Sequence, residues 1–250
     1  MKYIFSILFL LFLSACAPKN PLEGFRFQTV VAPPYVNASW HKITKTGEVL
    51  KIYIEGDGIP LNFEKVENPT PQSLFLRKIA AKDPAPNVAY LARPCQYFQA
   101  GTCSFADWTS GRYSKNVIDS MDRSVSELMK KAKTKHVILI GYDGGAQIAG
   151  QIALRHPERV VKIYTLAGIL DHEAWRKYHQ LSLLTGSENL IDAQQDFLKI
   201  PQHHFAGGKD SVVPAFLIRN FVGDKNLTVI EKATHDSGYQ EAYPYLYQEK

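Results

Sequence analysis

Cysteine is scarce in this chain: 3 in 250 residues, one of them at position 16. No zinc-finger spacing occurs, and the adjacent pair His203-His204 would face opposite sides of a strand, so it cannot easily hold one ion. No metal and no cofactor are expected. Internal repeats and low-complexity tracts are absent, and nothing calls for a second folded domain. There is no RNA-binding aromatic motif and no basic helix of the kind nucleic-acid binders use. The net charge of +5, from 29 basic and 24 acidic residues, is spread along the chain. Its one tight cluster, Lys130, Lys131 and Lys133, reads as the solvated face of a helix. No nucleic-acid partner is expected.

What is present is enough apolar material for one sizeable core: 45% of residues are hydrophobic and 21% charged, an ordinary globular balance. The N-terminus is more specific. After Met1-Lys2, residues Tyr3 to Leu13 are apolar except for Ser6. That run is too short to stay in a bilayer as a spanning helix and reads as a secretory signal. Its end, Leu13-Ser14-Ala15-Cys16, resembles a bacterial lipobox, which implies a signal peptide over 1–16 and lipidation of Cys16. The alternative is a plain signal cut nearby, with Cys16 incidental. Residues 17–27 read as a tether and 28–250 as the folded domain. No acidic residue directly follows Cys16, which by resemblance to bacterial lipoproteins favours an outer-membrane anchor facing the periplasm. In that oxidising compartment Cys95 and Cys103, close together in a loop, are expected to form a local disulfide.

Periodicity alternates strands with helices. Leu50–Ile54, Asn87–Ala92, His136–Ile140, Val160–Leu166, Ile200–Ala206 and Leu227–Ile230 read as strands; Ser73–Lys82, Asn116–Ala132 and Gly144–His156 read as helices. Such alternation implies βαβ units and a doubly wound, mostly parallel sheet of the α/β class. Residues 171–198 form a longer, largely helical excursion expected above the carboxyl ends of the strands, as a small lid. The aromatics of the 96–114 loop, Trp108 and Tyr113, are expected to pack.

The strongest local signal is Val137-Ile138-Leu139-Ile140-Gly141-Tyr142-Asp143-Gly144-Gly145. A buried strand runs through a tight turn directly into a helix. Small residues two before and two after the central side chain let the turn close, and Gly141 and Gly145 stand there. Residue 143 is pushed out above the sheet at the positive end of the next helix, which favours a negative group.

From about Leu50 to His235 the chain resembles the α/β-hydrolase superfamily, in which this turn carries the nucleophile. The passage Ala153-Leu154-Arg155-His156-Pro157-Glu158-Arg159-Val160 is similar to the one that follows the turn in many members. The superfamily's order, nucleophile, acid, histidine, implies Asp143, then Asp210 in Gly207-Gly208-Lys209-Asp210, then His235. It implies an oxyanion hole from the N–H of Gly144 and of Asp57 or Gly58, in the turn Glu55-Gly56-Asp57-Gly58. Glu55 and Asp57 themselves read as turn residues rather than a paired acid and base. That turn, with Arg93-Pro94-Cys95-Gln96-Tyr97 and Asp171-His172-x-x-Trp175, most resembles a group of exported bacterial hydrolase-like proteins whose turn normally carries serine.

Aspartate changes the chemistry. It is already ionised and attacks without a base. Attack on an ester would give a mixed anhydride, whereas attack on a carbon bearing a halide or an epoxide oxygen gives an ordinary ester that water can cleave. Haloalkane dehalogenases and epoxide hydrolases of the superfamily work that way, often with tryptophan after the aspartate; here Gly144 stands there, and Tyr178 is the one candidate for a lid tyrosine. Three functions remain open: a hydrolase of a small-molecule substrate using Asp143, Asp210 and His235; an inactive relative serving as a binding or structural envelope lipoprotein; and an envelope scaffold whose triad is incidental.

Overall fold

The computed structural model describes residues 21–58 and 66–248. The expected signal peptide 1–16, Cys16 and the first residues of the tether lie outside the described residues. Among the described residues no helix is long and apolar enough to cross a membrane.

Eight strands form one sheet: β1 (Arg26–Ala32), β2 (Tyr35–Ile43), β3 (Leu50–Ile54), β4 (Asn87–Leu91), β5 (Val137–Tyr142), β6 (Val160–Leu166), β7 (Gln202–Gly207) and β8 (Leu227–Ile230). Their order is β1-β2-β4-β3-β5-β6-β7-β8. β2 runs antiparallel to both its neighbours, and every other pairing beyond it is parallel. The helices are α1 (Phe75–Lys82), α2 (Lys115–Ala132), α3 (Gly145–Arg155), α4 (His172–Tyr178), α5 (Gln194–Phe197), α6 (Ala215–Val222) and α7 (Tyr243–Leu246).

Helices cover both faces, which is why the central strands read as unbroken apolar runs. Leu50, Ile52, Ile54, Val137 and Leu139 pack on one face with α2 and α3. Tyr53, Tyr90, Ile138, Ile140 and Tyr142 pack on the other with α1 and the C-terminal turns. β3, β6 and β8 match the sequence expectation at both ends, and the remaining expected elements differ by a few residues.

β1 and β2 were not foreseen, and β1 begins inside the segment expected to be tether. The reason is on β2. Its residues facing α2 include Asn37, Ser39 and His41, all buried, so the apolar period of two is lost. Asn37 Nδ2 instead donates to Ser120 Oγ at 3.0 Å and Ser124 Oγ at 2.8 Å on α2.

The excursion 171–198 carries α4 and α5 and packs on the α2/α3 face. Trp175, Leu190 and Phe197 are buried in that core, and Trp175 Nε1 donates to the Val212 carbonyl at 2.8 Å.

Candidate active site

The carboxyl ends of β3, β5, β7 and β8 deliver Asp57, Asp143, Asp210 and His235 to one place. Asp143 has φ of 50°, a left-handed value uncommon outside glycine, held by three backbone bonds. Its N–H reaches the Leu166 carbonyl, and its own carbonyl accepts from Ala146 and Ile169. The turn expected from the glycine spacing is therefore present. Asp143 is 8% exposed.

One carboxylate oxygen of Asp143, Oδ2, accepts the Asp57 N–H at 2.9 Å, and the Gly144 N–H also bonds the carboxylate. Of the two sequence candidates in the β3 turn, Asp57 rather than Gly58 meets Asp143. The other oxygen, Oδ1, lies 3.7 Å from His235 Nε2. His235 Nδ1 lies 2.9 Å from Asp210 Oδ2. Asp210 Oδ1 accepts the N–H groups of Val212 and Val213, both at 2.8 Å, which fixes the carboxylate plane. Asp143, His235 and Asp210 are thus brought together in the order foreseen. Asp236 points elsewhere, accepting from Ser73 Oγ at 3.1 Å. Tyr178 is exposed and packs on Phe216 and His179.

Two close approaches explain the glycines around Asp143. A Cβ on Gly56 would lie 2.8 Å from Asp143 Cβ and Oδ2. One on Gly144 would lie 2.0 Å from Asp57 Oδ1. No side chain fits at 144, so no tryptophan can stand there.

The sequence did not foresee what lies behind the turn. Asp57 is buried, with Oδ1 on Arg93 Nη1 at 2.8 Å, Oδ2 on Arg112 Nη1 at 2.7 Å, and the Tyr113 hydroxyl on both oxygens at 3.0–3.1 Å. Arg93 also donates to the Arg112 carbonyl. Gln96 accepts from the Arg93 N–H and donates to the Gly56 carbonyl, both at 2.9 Å. The expected disulfide, Cys95–Cys103, closes beside it with Cα atoms 5.8 Å apart. Arg112 and Tyr113 stood in the sequence as loop residues. Only the fold puts them under the β3 turn.

Burial raises both aspartates, and their charged neighbours drive the two apart. Burial raises Asp57, but Arg112 and Arg93 overcome it and hold the group below the usual aspartate range. It also raises Asp143, and the nearby Asp57 charge raises it further, against the opposing pull of His235. His235 is lowered by burial, yet its bond to Asp210 and the charges of Asp143, Asp210 and Asp236 lift it above its ordinary value.

A cavity of about 470 Å³ opens beside Asp143 and His235. It lies on the α1 face, lined by Val66, Thr70, Phe75, Tyr142 and Glu55 among others. Residues 171–198 are not among those lining it. The segment before α1 borders the cavity, and residues 59–65 fall outside the described residues.

No protein-family model matches the chain, and no curated protein matches it in sequence. Solved structures do. Est1E from Butyrivibrio proteoclasticus, with ferulic acid bound, is 14% identical with a TM-score of 0.63, covering 88% of this chain and 96% of that one. An esterase of Pyrococcus furiosus is 16% identical, with a TM-score of 0.59, covering 92% and 89%. An alpha-beta serine hydrolase homologue from Coxiella burnetii is 14% identical, with a TM-score of 0.55, covering 88% and 93%.

Proposed function

On the α/β-hydrolase fold that these likenesses establish, we propose that the chain is an exported, lipid-anchored hydrolase whose nucleophile is Asp143, acting on a tetrahedral carbon of a small molecule. One observation carries this reading. Asp143 rests its carboxylate on the N–H groups of Asp57, through Oδ2, and of Gly144, with Oδ1 3.7 Å from His235 Nε2, and the residue borders the cavity. Attack by Oδ1 on carbon makes an alkyl ester whose carbonyl oxygen, Oδ2, already rests on the Asp57 N–H, with the Gly144 N–H also on the carboxyl group. Water then adds to Cγ, and the same donors take the developing oxyanion.

His235 is the base for that water, oriented by Asp210. In the resting site its bond to Asp210 and the neighbouring carboxylates favour its charged form. Esterification removes the Asp143 charge, so the histidine's pKa falls when a base is needed. Electrostatics thereby separate the two steps.

The test is mass spectrometry on a His235→Ala variant after incubation with epoxides, haloalkanes and p-nitrophenyl esters. An alkyl group on Asp143 is the expected result. Absence of any adduct, together with esterase activity appearing in Asp143→Ser, would instead make the aspartate a disabling change in an acyl pocket. That second reading, a binding or structural envelope lipoprotein, is favoured by one fact: Asp143 itself occupies the two N–H donors a substrate oxygen would use.

A further inference from the structure

Of the two carboxyls lining the cavity that the reaction above leaves without a task, Asp236 accepts from Ser73 Oγ in an exposed contact, and Glu55 is buried. It follows β3 directly and is 2% exposed, yet it borders the same cavity as Asp143 and His235. Its hydrogen-bond partners are neutral. Oε1 accepts the Gly56 N–H at 2.9 Å, and Oε2 accepts the Tyr90 hydroxyl. The Tyr90 and Tyr97 hydroxyls are 3.1 Å apart, and Tyr97 is only half-buried. A hydrogen-bonded chain therefore runs from the cavity wall toward the surface. Arg77 of α1, the cation in reach, lies over the Tyr97 ring at 5.4 Å instead.

We propose that Glu55 is the acid that protonates the oxygen leaving the carbon attacked by Asp143, and that the substrate is accordingly an epoxide rather than a haloalkane. This rests on Asp143 being an alkyl-transfer nucleophile. Burial raises the Glu55 carboxyl to about 7, against its bonds to Tyr90 and Gly56 and the attraction of Arg77, and the Asp143 charge adds to the rise. A proton is therefore present to give at neutral pH. A departing halide needs no proton; an opening epoxide oxygen does. Among the described residues no indole lines the cavity. Gly144 admits no side chain, and the Trp108 and Trp175 N–H groups are committed to the carbonyls of Val66 and Val212.

The step balances. Asp143 Oδ1 bonds to an epoxide carbon, that carbon's bond to the ring oxygen breaks toward oxygen, and the oxygen takes the Glu55 proton. A hydroxyalkyl ester and a Glu55 carboxylate result. His235 takes a proton from water as the hydroxide adds to Cγ, then gives it to the departing diol oxygen. Asp143 is left as an acid, and its proton restores Glu55, directly or by solvent exchange through Tyr90 and Tyr97.

The test follows ester formation on Asp143 of the full chain carrying His235→Ala, with styrene oxide and 1-bromobutane as probes. The epoxide rate divided by the bromoalkane rate is the readout, because Asp143 ionisation affects both equally. Glu55→Gln is expected to lower that ratio on the order of 10²-fold, and Tyr90→Phe to lower it less. With Glu55 unchanged, the ratio should fall as pH rises through about 7, and this needs no buried substitution. The charged groups acting on Glu55 that could disturb this profile are Arg77 and Asp143. A bromoalkane adduct without an epoxide adduct, or a ratio that neither Glu55→Gln nor pH changes, overturns the role of Glu55 and leaves alkyl transfer standing. No adduct from either probe overturns both.

Discussion

Two buried aspartates sit side by side at the carboxyl edge of the sheet, Asp57 and Asp143, and their surroundings differ. Asp57 meets two guanidinium groups and a phenol, so its charge is matched on every side. Asp143 meets backbone N–H groups and a histidine 3.7 Å away. The first carboxyl is driven below its ordinary pKa and the second above it, although both are equally deprived of water. A buried charge that is fully bonded is held in place, and one that is only partly bonded is reactive. Asp57 thus fixes the backbone N–H that Asp143 leans on, and Asp143 turns its other oxygen toward His235.

The contrast can be broken most severely at Asp143. Asp143→Asn should lower epoxide turnover by at least about 10³-fold, and NMR titration should place His235 lower than in the native protein, since one of its carboxylates is gone. An unmoved His235 would mean that the two side chains do not share their charge.

Next in size is Arg112→Met. It leaves Asp57 buried with half its cationic partners and should cost about 3–5 kcal/mol in urea unfolding. A loss below about 1 kcal/mol would show that Asp57 is not held as described.

The third effect is a pH dependence. The pKa of Asp57 is depressed by folding, so its stability is present at neutral pH and is lost only as pH falls below the ordinary aspartate range. Glu55 has the opposite sign: folding raises it from 4.5 to about 7, so its contribution is fully present below 4.5 and is lost as pH rises through about 7. The stability of Glu55→Gln relative to the native chain should therefore improve by up to roughly 3 kcal/mol between pH 4.5 and 8, read by denaturation at each pH. A constant difference would place Glu55 in contact with water.

The smallest effect is at the loop that brackets Asp57. Replacing Cys95 and Cys103 together by serine should cost about 2 kcal/mol, as expected for a short closed loop. A loss of turnover larger than that loss of stability would show that Gln96 transmits the loop's position to the Gly56 carbonyl.

Local patterning made the central sheet legible. Val137 to Ile140 is apolar on both faces because helices cover both, and the glycines around Asp143 announce the sharp turn. β1 and β2 escaped notice because Asn37, Ser39 and His41 are buried, and Asn37 finds its partners on α2, some eighty residues on. The cavity's position was equally hidden. The excursion 171–198 suggested a lid, yet its buried residues Trp175, Leu190 and Phe197 belong to the opposite face of the sheet from the cavity. Glu55 read as a turn residue, since nothing near it in sequence reveals Tyr90 and Tyr97 on its far side.

The amino-acid order alone determined that Asp143 stands on a strained turn between strand and helix, with Asp210 and His235 following in turn. Backbone sterics and hydrophobic period are local properties, and they are written in consecutive residues. Only the tertiary structure decided which N–H meets Asp143, that Arg93, Arg112 and Tyr113 converge on Asp57, and that Glu55 is buried beside the same cavity. Those outcomes depend on distance and on exclusion of water between segments far apart in the chain, and charge acquires its chemical meaning there.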